Sequence, residues 1–201
     1  MIVANGCPKS GTHALMRLLS LQGKQRCPGI LKAVSPHFGL TLNPTPADLN
    51  PITLSAARDF SNDYFIHGHV RVAAAVQWLT FVTVKRDPRN VLVSYVRWTR
   101  KERGTTDVPD LCEAMDRFFS HPFPKTYRAF LGWEKYGTVL RYEDIAEQCA
   151  SIDIDLYANS TTNRDTWTSA PSDWRNWWSE RIEKKWRQIG GPDLVAEAGY
   201  R

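Results

Sequence analysis

Ile2-Val3-Ala4-Asn5-Gly6-Cys7-Pro8-Lys9-Ser10-Gly11-Thr12-His13-Ala14-Leu15 decides the reading of this chain. Ile2 to Ala4 is a short apolar run that stops at Asn-Gly, which reads as a buried strand and a turn. From Thr12 onward Leu15, Met16, Leu18 and Leu19 fall at helical spacing. A turn between a strand and a helix aims backbone N–H groups and a helix N-terminus at one point, which favours an anion. Gly6 and Gly11 permit the tight path, Lys9 adds a positive charge, and Ser10 and Thr12 add hydroxyl donors. An ordinary strand-to-helix turn is the plainer alternative. The Walker A loop, G-x-x-x-x-G-K-S/T, fits imperfectly, because Lys9 precedes the second glycine instead of following it.

Working outward, Tyr64-Phe65-Ile66 reads as a second buried strand and Val70 to Trp78 as a short helix. Thr80-Phe81-Val82-Thr83-Val84 is the clearest strand, rich in β-branched residues. Pro88 suits the first turn of a helix reaching about Lys101. Val108, Leu111, Met115, Phe118 and Phe119 make another helical stripe, Gly137 to Leu140 a short strand, and Trp174 to Ile189 a helix. Five of the twelve prolines lie between residues 23 and 62, which therefore reads as loops with little regular structure, a binding loop or lid. Strands alternating with helices predict an α/β fold, three-layered around a central, mainly parallel sheet.

At 201 residues the chain is expected to form one domain, residues 1–201, with a core that needs no staples. The balance of 26 Lys and Arg against 21 Asp and Glu leaves a net charge of +5. That suits an anionic partner without choosing among nucleic acid, membrane surface and small molecule. Cys7, Cys27, Cys112 and Cys149 form neither a C-x-x-C pair nor a zinc spacing, so they read as thiols of a reducing compartment. No run approaches the roughly 18 apolar residues of a membrane span. The N-terminus lacks a basic region and an apolar core of signal-peptide length. A cytoplasmic protein is expected, with no membrane or nucleic-acid partner and no metal.

Cys7-Pro8-Lys9-Ser10-Gly11-Thr12 resembles the P-K-S-G-T loop of sulfotransferases that use 3′-phosphoadenosine 5′-phosphosulfate (PAPS). Further on, Arg86-Asp87-Pro88-Arg89-Asn90 with Ser94 resembles that family's 3′-phosphate motif, R-D/N-P-x-D/N-x-x-x-S. Val139-Leu140-Arg141-Tyr142-Glu143-Asp144 is similar to its Y-E-D segment, and Asp173-Trp174-Arg175-Asn176 to its G-x-W-R/K-N tail. The resemblance implies a P-loop-like sulfotransferase fold and PAPS as sulfuryl donor. It implies that Pro8, Lys9, Ser10, Gly11, Thr12 and His13 bind the phosphosulfate, and that Arg86 and Ser94 bind the 3′-phosphate. Arg offers phosphate a planar fork of donors. Arg89 reads as an exposed helix residue.

The same resemblance implies direct in-line transfer to an acceptor hydroxyl, with Lys9 and Ser94 in the catalytic set and a general base at the acceptor. The family uses His or Glu, and this chain has no Glu before Glu102. His67-Gly68-His69 stands where the His-using branch has K-T-H, so His69 is the expected base, with a reference pKa of about 6.5 close to working pH. His67, Asp48, Asp59 and Asp63 are the alternatives. The acceptor is a small molecule or a carbohydrate; the G-T-x-A-L form of residues 11–15 leans to the latter. Ala14 stands where many members stack Trp on adenine, which leaves Tyr142 or Trp167 for that task. Arg164 is the counterpart of the family's C-terminal phosphate loop, and residues 164–201 are expected to cover the donor and end in helix.

Two other readings stay open. One is a P-loop kinase or NTPase, for which Asp87 sits near a Walker B-like position. The other is a non-catalytic Trp-rich binder of carbohydrate or nucleic acid, suggested by eight Trp, five of them between Trp167 and Trp186. Trp174, Trp177, Trp178, Ile182 and Trp186 fall at helical spacing, so core packing is the commoner role for such residues.

Overall fold

A computed structural model describes residues 1–35, 39–43, 61–72, 79–102, 123–151 and 173–201. The chain divides into two compact units, Met1–Lys85 with Gly132–Ser160, and Arg86–Leu131 with Thr161–Arg201.

The first unit holds the sheet. Its strands are β1 (Ile2–Gly6), β2 (Gln25–Ser35), β3 (Gly39–Asn43), β4 (Tyr64–His69), β5 (Thr80–Lys85) and β6 (Gly137–Arg141), in the order β3-β2-β4-β1-β5-β6. Five strands run parallel, and β3 closes one edge antiparallel to β2. Every residue of β1 is buried, as a central parallel strand requires. Helix α1 (Thr12–Leu21) lays Ala14, Leu15, Met16 and Leu19 against Ile2, Ala4, Phe65 and Val84 on one face of the sheet. Helix α4 (Tyr142–Ser151) adds Tyr142 and Ile145 to that cluster. Val3, Ile66, Val70, Leu79 and Phe81 point to the other face and pack around Trp133 in a 3₁₀ turn. The alternation along β1, Ile2 and Ala4 one way and Val3 the other, is the period-2 geometry of a strand. This is the α/β, three-layer class expected from the sequence.

Within residues 23–62, read from the sequence as loops with little regular structure, β2 and β3 form regular strands. The prolines misled: Pro28 falls where the β2–β4 register shifts between Arg26 and Ile30, so no regular ladder bond is asked of it. Residues 44–60 lie outside the described residues, as do 73–78 and the expected helix at 108–119.

In the second unit α2 (Pro88–Glu102) starts as predicted. Asp87 caps it by accepting from Arg89 N at 2.8 Å, and Pro88 stands at the first helical position. Helix α3 (Phe123–Arg128) follows. The tail is not one helix. Asp173 caps a 3₁₀ turn, Trp174–Trp177; Ser179 then caps α5 (Glu180–Gln188), and Gly190 at φ 76° leads into α6 (Gly191–Glu197). Two capping side chains six residues apart end one element and start the next, overriding the apolar spacing. Ile182 and Trp186 are buried as expected, whereas Trp174, Trp177 and Trp178 are only partly covered.

Candidate functional site

The loop after β1 is held by bonds that local sequence does not reveal. Ser10 N–H donates to Cys7 O at 2.9 Å, and Ser10 Oγ donates to the Val84 carbonyl at 3.1 Å, tying the loop to β5. The hydroxyl proton of Ser10 thus braces the loop. A Cβ on Gly6 would stand 2.5 Å from Ser10 Oγ and 2.9 Å from Val84 O, so only glycine lets the loop close over the strand end. Lys9 takes the left-handed conformation at φ 71°, and Gly11 follows at φ 108°. Beneath Gly11 lies the ring of Tyr142, 2.3 Å from where a Cβ would be. Tyr142 is 6% exposed, so in this structure it is a floor for the loop and not an open stacking platform.

Helix α1 begins at Gly11 with no side-chain cap, and its first backbone bond is Leu15 N to Gly11 O at 3.1 Å. The amides of Thr12, His13 and Ala14 therefore carry the helix's uncompensated positive end. Beside them, Thr12 Oγ1 and His13 Nδ1 are buried without a hydrogen-bond partner. Buried polar atoms are rarely left so. An anionic oxygen at this helix end would meet the amides and the Thr12 hydroxyl, so the residues present fit a phosphate or sulfate group. Burial, then the charges of His69, Lys9 and Arg26, push His13 down to about 4, which keeps its ring neutral. Burial pushes the Cys7 thiol up to about 12, leaving it inert.

His67 and His69 leave β4 on the α1 face, because Phe65 two residues earlier packs there. Gly68 points the other way, where a Cβ would meet Val3 Cγ1 at 2.4 Å. The rings of His13 and His67 lie 5.1 Å apart, and those of His67 and His69 4.6 Å apart. His69 Nδ1 is 2.8 Å from the carbonyl of Gly6. A carbonyl only accepts, so Nδ1 carries the proton, and the neutral ring holds its lone pair on Nε2. The sequence missed Asn5. It is wholly buried, donates to Val70 O and Thr83 Oγ1, and accepts from Val70 N at 2.8 Å, so it ties the end of β4 and the middle of β5 to β1. A polar residue closing an apolar strand was the available signal.

In the second unit Arg86 and Ser94 are both buried, at the entry and in the second turn of α2, and the Tyr127 hydroxyl donates to the Arg86 carbonyl. Arg89 is not the exposed residue expected. Its guanidinium pairs with Asp87 at 2.6 Å, donates to Arg201 O and lies 4.1 Å over the Trp174 ring. The pair occupies the Asp87 carboxylate that a Walker B reading needs. Arg175 also lies over Trp174 and Arg97 over Trp177, so these rings already carry guanidinium groups. Trp174 N–H donates to Asn90 Oδ1, which ties the W-R-N segment to α2. Arg164 and Trp167 lie outside the described residues. Among the described residues no three His, Cys, Asp or Glu side chains are grouped to hold a metal, and no helix is long and apolar enough to cross a membrane.

Within the first unit, the order of the sheet explains where the loop, His67 and His69 collect. β1 sits between β4 and β5, the point at which successive connections leave in opposite directions, and ligands of open α/β sheets bind outside the carboxyl ends of strands there. The chain matches no protein-family model and no curated protein. Among solved structures it is similar to a mouse sulfotransferase, SULT7A1, complexed with PAP. That likeness has a TM-score of 0.58 at 15% identity and covers 98% of this chain and 87% of that one. A sulfotransferase from Alicyclobacillus acidocaldarius is also similar, at 16% identity and a TM-score of 0.44, covering 100% of this chain and 96% of that one. The chain thus has the sulfotransferase fold.

Proposed function

We propose that this protein is a sulfotransferase that moves a sulfuryl group from PAPS to an acceptor hydroxyl. The observation that carries the reading is the 2.8 Å contact of His69 Nδ1 with Gly6 O, next to the uncapped start of α1. A ring whose Nδ1 is committed to a carbonyl carries its lone pair on Nε2, which supports a base at this position, and the fold shared with the PAP-bound mouse enzyme supports the same reading.

PAPS, when bound, supplies the activated sulfuryl group. Thr12 and the first amides of α1 hold its phosphosulfate end, with Pro8, Ser10 and Gly11 shaping the loop. His13, kept neutral, offers a ring N–H to an oxygen without adding charge. Arg86 and Ser94 take the 3′-phosphate, and Arg164 joins them. His69 Nε2 accepts the acceptor proton as the acceptor oxygen attacks in line, and the Gly6 carbonyl steadies the imidazolium that results. Lys9 neutralises the negative charge that grows on the departing nucleotide oxygen.

A thermal-shift titration with adenosine 3′,5′-bisphosphate against Mg-ATP tests the reading. Stabilisation by the bisphosphate without a metal is expected; no shift at millimolar concentrations would sink it. His69→Ala should abolish transfer and leave bisphosphate binding intact. Surviving turnover with lost binding would remove His69 from the role of base.

A further inference from the structure

Five Lys and Arg precede Asp48, the first acidic residue, and the 21 basic residues after it balance all 21 acidic ones. The net charge of the chain therefore sits in its first 47 residues, which build β1, the loop, α1, β2 and β3. Lys9 belongs to the loop. Arg17 and Arg26 are unabsorbed by the transfer chemistry.

Arg17 lies one turn after His13 on α1, so the two share a helix face. Its Nε is buried without a hydrogen-bond partner. A guanidinium N–H in that condition is costly, and an anion would satisfy it. Arg26 on β2 is exposed and stands in register with Phe65 of β4, on the face that α1 covers. Its charge reaches His13. Among the described residues neither arginine has an ion pair.

Arg26, on β2, is on the opposite side of β1 from β5, and Arg17 shares the helix face of His13, whose ring lies 5.1 Å from that of His67 on β4. The order β2-β4-β1-β5 puts β2 roughly 14 Å across the sheet from β5 at about 4.8 Å per strand. Arg86, assigned to the 3′-phosphate, follows β5 in the chain. His69, the base, is on β4, next to β2. A ligand group held by Arg17 and Arg26 is thus on the base's side of the sheet and away from the strand that leads to the 3′-phosphate residues.

We infer that the acceptor is itself an anion: a hydroxyl compound whose carboxylate, sulfate or phosphate group is held by Arg17 and Arg26 while its hydroxyl faces His69. The inference rests on the sulfotransferase reading.

The test saturates the protein with adenosine 3′,5′-bisphosphate and titrates matched probes by thermal shift: glucuronate against glucose, and 4-hydroxybenzoate against its methyl ester. Each acid should bind at least about tenfold tighter than its neutral twin. Arg17→Gln and the exposed Arg26→Gln should each cut that preference to about threefold or less, while the shift produced by the bisphosphate persists and reports an intact fold. Equal binding of acid and neutral probe overturns the inference, and so does a preference that survives both substitutions. Bisphosphate binding without acid preference defeats this inference alone. Absence of bisphosphate binding defeats the functional reading and this inference with it.

Discussion

Gly11→Ala is the sharpest perturbation of the loop after β1. Gly11 holds φ 108°, where an L-residue is strained by about 1–2 kcal/mol. Its new Cβ would stand 2.3 Å from Tyr142 Cδ2. Tyr142 is buried in the α1–β1 cluster and cannot simply swing away. Forcing such a core contact apart costs about 1–3 kcal/mol more. Together the two terms give about 2–5 kcal/mol, which in a chain of this length lowers Tm by roughly 5–15 °C. Gly23→Ala is the control. Gly23 also has positive φ, at 80°, but a Cβ there meets nothing within 4 Å, so only strain applies, about 1–2 kcal/mol. The assay is thermal unfolding of both variants, followed by titration with adenosine 3′,5′-bisphosphate. Gly11→Ala should also weaken bisphosphate binding at least about tenfold, because the loop and the first amides of α1 move with residue 11. Gly23→Ala should not. Equal losses of Tm in the two variants, or unchanged bisphosphate binding in Gly11→Ala, would refute the account of Tyr142 as the floor of the loop.

Asn5→Ala removes three buried hydrogen bonds and strands the Val70 amide and carbonyl, so it should cost about 2–4 kcal/mol in urea unfolding; a loss below 1 kcal/mol would mean the clamp is idle. His13 has a folded pKa below its unfolded one, so the unfolded chain binds the extra proton first. Its contribution is full above about pH 6.5 and is lost as pH falls towards 4, on the order of 3 kcal/mol. His13→Asn should flatten the Tm-against-pH curve across that window, and an unchanged slope would contradict a neutral buried ring. Asp87→Ala takes both the cap of α2 and the partner of Arg89, and should cost about 1–3 kcal/mol; Asp87→Asn, which keeps the cap, should recover about 1 kcal/mol of it.

Local pattern alone determined a good deal. The change of period at Thr12, the β-branched run at 80–84 and the Asp-Pro start of α2 are short-range signals, and each produced its element in place. The loop was legible as a tight strand-to-helix turn because Gly6 and Gly11 stand where a side chain has no room. The failures were equally physical. The prolines of residues 23–62 hid β2, whose pairing tolerates Pro28 only because the register shifts around it. Spacing of Trp and Ile suggested one tail helix, but Ser179 offered the backbone a better start. What only the tertiary structure decided is the bonding between distant residues. The Gly6 carbonyl that orients His69 lies 63 residues away in the chain, and Val84, which braces Ser10, lies 74 away. Tyr142 floors Gly11 because β6 adds beside β5 and its helix then folds back over α1. Such contacts follow from strand order and register, which depend on the whole set of competing pairings and leave no mark in any one segment.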